Sequence, residues 1–295
     1  MLSRRKFLQG LLGVTLAGLV TSSYGVFVEA AYRLRVQRWQ IRPARWTAGP
    51  LTIAVVSDLH MCDPWVPLKR LQQVVRQTNA LRPDLIVMLG DIPAGHRFVS
   101  REVPVAKVAA ALAELKAPLG LYAILGNHDW WHDTAAQARG AGPNLVGEAL
   151  RAAGIPVLEN DVVKVGQGAG AFWLAGLADQ LAFVEGHGLF RGLDDLPGTL
   201  AKLTDDAPAI LLAHEPDIFP KVPDRVALTL SGHTHGGQVR IMGYSPVVPS
   251  DYGNRYAYGP VRETGRDLVV SGGIGCSIVP LRLGMPPEIT LIELA

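Results

Sequence analysis

Cysteine is nearly absent: Cys62 and Cys276 are the only two in 295 residues. That excludes a disulfide framework and a zinc site built on thiolates, and leaves a single bridge between the pair as the alternative to two buried thiols. Beyond about residue 50 there is no Pro/Ser/Gly-rich linker, internal repeat or low-complexity tract, so the body reads as one domain. A basic footprint is missing as well. Residues 1 to 46 hold eight of the 28 Lys+Arg and one of the 26 Asp+Glu, which leaves 20 basic and 25 acidic residues for the rest. A body of net charge −5 lacks the surface that nucleic-acid binding needs, so no nucleic-acid partner is expected.

The basic surplus lies at the amino terminus. Arg4, Arg5 and Lys6 precede 22 uncharged residues, Phe7 to Val28, the layout of a charged region feeding an apolar one. "SRRKFLQG" resembles the twin-arginine export signal, which makes the twin-arginine machinery an expected partner. The apolar stretch is also long enough for a membrane anchor, and Val28-Glu29-Ala30 offers small or β-branched residues where a signal peptidase would cut, so cleavage and retention both stay open. Either way the body is expected outside the cytoplasm. Three segments follow: 1–30 as signal or anchor, 31–50 as a basic strand and linker, and 51–295 as the catalytic body. In the second, Arg33, Arg35, Arg38, Arg42 and Arg45 stand in a stretch without acidic residues. They suit the solvated face of an edge strand and equally a surface for anionic headgroups.

From residue 51, short β-branched runs alternate with helical periodicity. "LTIAVVSD", "DLIVMLGD" and "GLYAILGNHD" read as strands, separated by helices over Trp65–Leu81 and Val103–Leu115 and followed by one in "PNLVGEALRAAG". The second half is richer in strands, with "DVVKVG", "AFWLAGLAD", "AILLAHEP", "VALTLSGHTH", "GQVRIMG", "DLVVSGGIG" and "EITLIEL" as candidates and a helix near Asp194 to Leu203. The expectation is an α/β fold of two mixed sheets with helices outside.

Chemistry collects where these strands end. The runs stop in Asp58-Leu59-His60, Gly90-Asp91, Gly126-Asn127-His128-Asp129, His214-Glu215 and Gly232-His233-Thr234-His235. Ligands bind beyond the carboxyl ends of strands in open α/β sheets. His233 and His235, at i and i+2, share one side only in extended backbone. Each motif alone is an ordinary turn or cap, but five strand ends in this order converge imidazoles, carboxylates and an amide oxygen on one place. So many N/O ligands exceed one zinc site and suit two divalent ions about 3.5–4 Å apart.

This order of motifs resembles the calcineurin-like metallophosphoesterase superfamily from about Leu51 to Leu294, and no position of the pattern departs. "GHTHGGQVR", "SDYGNRYAYGPVRE" and "GGIGCSIVPLRLGMPPEITLIEL" look like its exported or membrane-associated bacterial phosphodiesterases. The resemblance implies a four-layer αββα sandwich. It implies two divalent cations (Mn, Fe or Zn), one on Asp58, His60, Asp91 and His235, the other on Asp91, Asn127, His214 and His233. It further implies a metal-activated hydroxide attacking phosphorus, His128 as donor to the leaving oxygen, and Asp129 orienting the His128 ring.

Three more residues are candidates for touching substrate: His96 on a loop after Asp91, Trp130 as an aromatic platform, and Arg255 as a phosphate contact. The expected substrate is a phosphate ester of a phospholipid, a lipid-linked sugar or a cell-envelope polymer, met at a membrane surface. The competing readings are a catalytically silent metal-binding scaffold and a UDP-diacylglucosamine-type pyrophosphatase of lipid A synthesis. Export argues against the second, whose substrate is cytoplasmic, and the intact motif set argues against the first.

Overall fold

The computed structural model describes residues 3–295, so the first two residues of the 1–30 segment lie outside the described part. The strands in chain order are β1 (Arg35–Ile41), β2 (Leu51–Val56), β3 (Cys62–Asp63), β4 (Leu85–Met88), β5 (Arg101–Glu102), β6 (Leu121–Ala123), β7 (Asp161–Val165), β8 (Phe172–Gly176), β9 (Phe183–Gly186), β10 (Leu189–Arg191), β11 (Ala209–Leu212), β12 (Val226–Ser231), β13 (Gly259–Glu263), β14 (Arg266–Val270) and β15 (Glu288–Leu294). One sheet runs β1-β15-β2-β4-β6, the other β13-β14-β12-β11-β8-β7. Both are mixed: β2, β4 and β6 are parallel, as are β8, β11, β12 and β14, while β15 is antiparallel to β2.

Alternation along β2 explains the layering. Ile53 and Val55 point toward the second sheet and pack with Leu174, Leu212 and Leu230, whereas Ala54 and Val56 point the other way, toward helix residues such as Leu71 and Leu112. With both faces covered, "LTIAVV", "LIVM" and "AILL" are apolar throughout. Helices Leu68–Ala80, Val105–Leu112 and Leu145–Ala152 cover the first sheet. The outer face of the second is covered by a single short helix, Leu196–Leu200, and by 3₁₀ turns carrying Phe219 and Tyr256. Two sheets flanked by helices are thus as expected, with the fourth layer built mostly of turns.

One strand expectation changes. "GQVRIMG" forms no strand of either sheet; it holds only isolated bridges, Val239 to Leu283 and Ile241 to Tyr244. Of the two alternatives for the cysteines, the structure has the buried thiols: Cys62 and Cys276 are both free.

The basic strand β1 sits at a sheet edge. Arg35 donates to Glu288 at 2.8 Å and to the Tyr258 hydroxyl at 2.6 Å, and Arg38 pairs with Glu293 at 3.1 Å. Before it, helix Arg4–Tyr24 is exposed along its length, and 21 residues extend roughly 32 Å, enough to cross a bilayer. Its base is fastened to the body: the Gly25 carbonyl accepts from Arg282 N at 3.3 Å, and buried Glu29 accepts from Met285 N at 2.9 Å.

Candidate metal centre

The five strand ends meet. After β2 and β4 the two chains stay hydrogen-bonded beyond the sheet, Asp58 N to Gly90 O, His60 N to Asp91 O and Met61 N to Ile92 O, at 2.8–3.0 Å. This ladder places Asp58 and His60 beside Asp91. His214 follows β11, and its carbonyl accepts from Gly232 N at 3.0 Å, which brings in the loop after β12. There the His233 N–H donates to Asp58 Oδ1 at 2.8 Å.

Two clusters result, Asp58 with His60 and His235, and Asp91 with His214 and His233. Asp91 Oδ2 lies 3.2 Å from His214 Nε2 and 3.5 Å from His60 Nε2, so it faces both. Asn127 Oδ1 lies 3.0 Å from His233 Nδ1 and joins the second cluster.

Backbone strain marks the same residues. Asp58, His60, Asp91, His233 and His235 have φ of 53°, 43°, 60°, 66° and 52°. Side chains other than glycine hold that conformation at about 1–3 kcal/mol each, and such strain gathers at functional sites. It also corrects the extended-backbone reading of His233 and His235. β12 ends at Ser231, and the left-handed turns send the two imidazoles to different clusters.

The donor set fits cations by its hydrogen bonding. His60 Nδ1 donates to Pro93 O at 2.9 Å and His214 Nδ1 donates to Leu89 O, so in both rings Nε2 carries the lone pair; that of His60 lies 3.0 Å from His235 Nε2, and that of His214 is turned on Asp91 Oδ2. Two acceptors face each other only if positive charge lies between them. A proton on His214 is one solution: burial alone would lower its pKa, yet Asp91 raises it well above the usual value. A divalent cation is the other, and the remaining groups are ready for it. Burial, reinforced by neighbouring imidazoles, holds His60 and His233 down to about 3, so both are neutral near pH 7. Burial pushes Asp58 up to about 6 against the pull of His214, whereas Asp91 is drawn well below the usual range by His214 and His128 in spite of its burial.

One candidate role and two candidate contacts read differently in the structure. The Asp129 carboxylate does not touch the His128 ring; it accepts from Asp91 N (2.9 Å), Ile92 N (2.8 Å) and Gly126 N (2.8 Å), holding together the loops that carry Asp91 and Asn127. His128 instead has Nδ1 3.3 Å from His132 Nε2 and Nε2 3.5 Å from Ser277 Oγ. Trp130 is no platform, because it is buried in the core against Phe183; the aromatic ring beside His128 is Trp131, 5.0 Å away. The Arg255 fork is engaged by Glu263 in two bonds of 2.7 Å and stacks over Tyr256, so its Nε and one terminal nitrogen are committed to a carboxylate. His96 is half-buried and close enough to His128 to lower its pKa.

Sequence reasoning missed Arg282. Fully buried, it donates to the Gly275 and Met285 carbonyls and lies 3.0 Å from His235 Nδ1. A guanidinium only donates, so Nδ1 accepts and the ring N–H sits on Nε2, which faces His60 Nε2 at 3.0 Å. Nothing in "PLRLGM" distinguishes this arginine from a surface one.

A family profile described as calcineurin-like phosphoesterase matches residues 51–237. The chain belongs to this family. The metallophosphoesterase YkuE of Bacillus subtilis is 33% identical over 99% of this chain and 98% of its own length, and the phosphodiesterase YaeI of Escherichia coli is 31% identical over the whole of both. A transmembrane protein with metallophosphoesterase domain from Danio rerio is 32% identical over 83% of this chain, which spans 53% of that protein. As a calcineurin-like phosphoesterase the chain is a metal-dependent phosphoric ester hydrolase, with two candidate metal groups among the described residues and an apolar helix in keeping with membrane association.

Proposed function

We propose that the protein hydrolyses phosphoric diesters beside a membrane, with one divalent cation on Asp58, His60, Asp91 and His235 and a second on Asp91, Asn127, His214 and His233. The observation that carries this reading is the position of Asp91 Oδ2 between the two clusters. A bound pair of such cations lowers the pKa of a water and offsets the charge of a phosphoryl group. The protein's own residues do the rest. The left-handed turns and the ladder between the two loops set the ligands before substrate arrives, which spares reorganisation during the reaction. His128, its pKa lowered by burial, is neutral near pH 7 and donates a ring N–H to the leaving oxygen. Asp129 positions Asp91 through the backbone.

The export-like amino terminus and the relatives' names support a membrane-held, extracytoplasmic enzyme delivered by a twin-arginine route. The fastening of Gly25 and Glu29 to the body favours retention of the helix as an anchor. The test is hydrolysis of bis-p-nitrophenyl phosphate by metal-stripped protein after addition of Mn²⁺, Fe²⁺ or Zn²⁺, with metal counted per chain. Two ions and restored turnover are expected; one ion at full activity, or no turnover with any metal, overturns the reading.

A further inference from the structure

Beside the metal centre lies an apolar cleft of about 310 Å³. His235 and Ser277, the latter 3.5 Å from His128, belong to its lining, with Val239, Val247, Ile278, Val279, Leu281 and two prolines. The segments that line it also carry large apolar side chains that a soluble surface rarely groups: Ile241, Met242, Tyr244, Val247 and Ile278 are all more than half exposed, Met242 completely. Ile278 holds φ 61°, a genuine outlier for a β-branched residue, and so presents its side chain at a cost.

The cleft is continuous with the apolar helix. Leu281, one of its walls, packs on Gly25 at the helix base so closely that an added Cβ there would come within 2.6 Å of its side chain. The cleft thus joins the base of the apolar helix, through Leu281, to His235 of the candidate metal centre. A water-soluble diester needs no such surface. A bilayer lipid does: its phosphate would reach the centre while its chain lies in the cleft and leaves by the mouth.

We propose that the substrate is a phosphoric ester bearing a long acyl chain, drawn from the bilayer, and that the cleft between Val247 and Val279 receives that chain. The reaction is unchanged by this: water adds to phosphorus, the P–O bond to one substituent breaks, and that oxygen leaves with a proton. The inference rests on the hydrolytic reading above for its chemistry but not for its binding, and the test separates the two.

Full-length, metal-loaded protein is given p-nitrophenyl phosphates esterified with methyl, butyl, hexyl and octyl groups. Burial of each methylene in the cleft predicts kcat/KM rising roughly two- to fourfold per carbon. Val247→Asp, at an exposed position where folding is not at risk, lowers the octyl-to-methyl ratio by at least about tenfold. In a second arm, vesicles containing phosphatidylglycerol with a diazirine on its acyl chain are photolysed with the protein, and labelled peptides are mapped. Label is expected within residues 239–249 and 277–281, and reduced there by Val247→Asp. Equal rates for methyl and octyl esters, or label confined to residues 4–24, overturn the proposal. If no ester is hydrolysed with any metal, the hydrolytic reading fails and the labelling pattern alone decides whether the cleft holds a chain.

Discussion

Gly126→Ala tests the geometry of the centre without touching a ligand or a charge. Gly126 has φ −113° and ψ 175°, a conformation alanine adopts freely, so the backbone is no obstacle. The new Cβ would lie 2.4 Å from Asp91 Oδ1 and 2.6 Å from His214 Cε1, about 1 Å inside the ordinary contact distance of roughly 3.5 Å. Both neighbours are held in place: Asp91 Oδ1 accepts from His128 N at 2.9 Å, and His214 Nδ1, itself 2.7 Å from that Cβ, donates to Leu89 O. One of them moves by about 1 Å, and displacement of that size costs on the order of 10²-fold in rate. Overpacking of one methyl costs about 1–3 kcal/mol, enough to lower Tm by several degrees without unfolding the chain. The assay is kcat/KM on bis-p-nitrophenyl phosphate beside the thermal midpoint and metal content. A Gly126→Ala protein with two bound metals and parental kcat/KM would refute the placement of Asp91 and His214.

Asp129→Asn separates the two accounts of that residue. Against three backbone N–H groups an amide offers one oxygen and turns an NH₂ toward donors, so stability falls by about 2–4 kcal/mol, read as a drop in the denaturant midpoint. Were Asp129 only an orienter of His128, turnover would drop with the midpoint unmoved. The thiols give a pH test. Burial pushes Cys62 from 9.0 up to about 11, so its thiolate fraction at pH 8 is about 100-fold below that of an unperturbed thiol and rises about tenfold per pH unit toward 10. Alkylation of the native protein by iodoacetamide, followed by mass spectrometry, should show that slope; labelling at pH 8 as fast as a free thiol would contradict the burial.

The ligand residues were legible because each follows a strand whose apolar run can be read, and because Asp, Asn and His in such positions make poor core. What they do to the backbone was not legible. His233 and His235 were the right pair for the wrong reason: the i, i+2 argument assumes extended chain, and the structure uses left-handed turns. Asp129 stood next to His128 in sequence, which suggested a side-chain partner, whereas its oxygens satisfy N–H groups of a loop 37 and 38 residues away that no local pattern reveals. Trp130 and Trp131 are indistinguishable as letters, but a helix turn sends one into the core and the other toward His128. "GQVRIMG" alternates like a strand because its apolar residues line the cleft and its rim instead of a sheet.

The fastening at Gly25 and Glu29 has a mechanical consequence. Both are bound to segment 281–285, and Arg282 in that segment also holds His235. The first helix is thus a stalk, with no loose tether between it and the metal ligands. In a bilayer such a stalk sets the height of the reaction centre, so only phosphorus at one depth comes within reach. Under the proposed anchoring such an enzyme would search by sliding in two dimensions, and any substrate that must be met far above the lipid plane would be out of bounds.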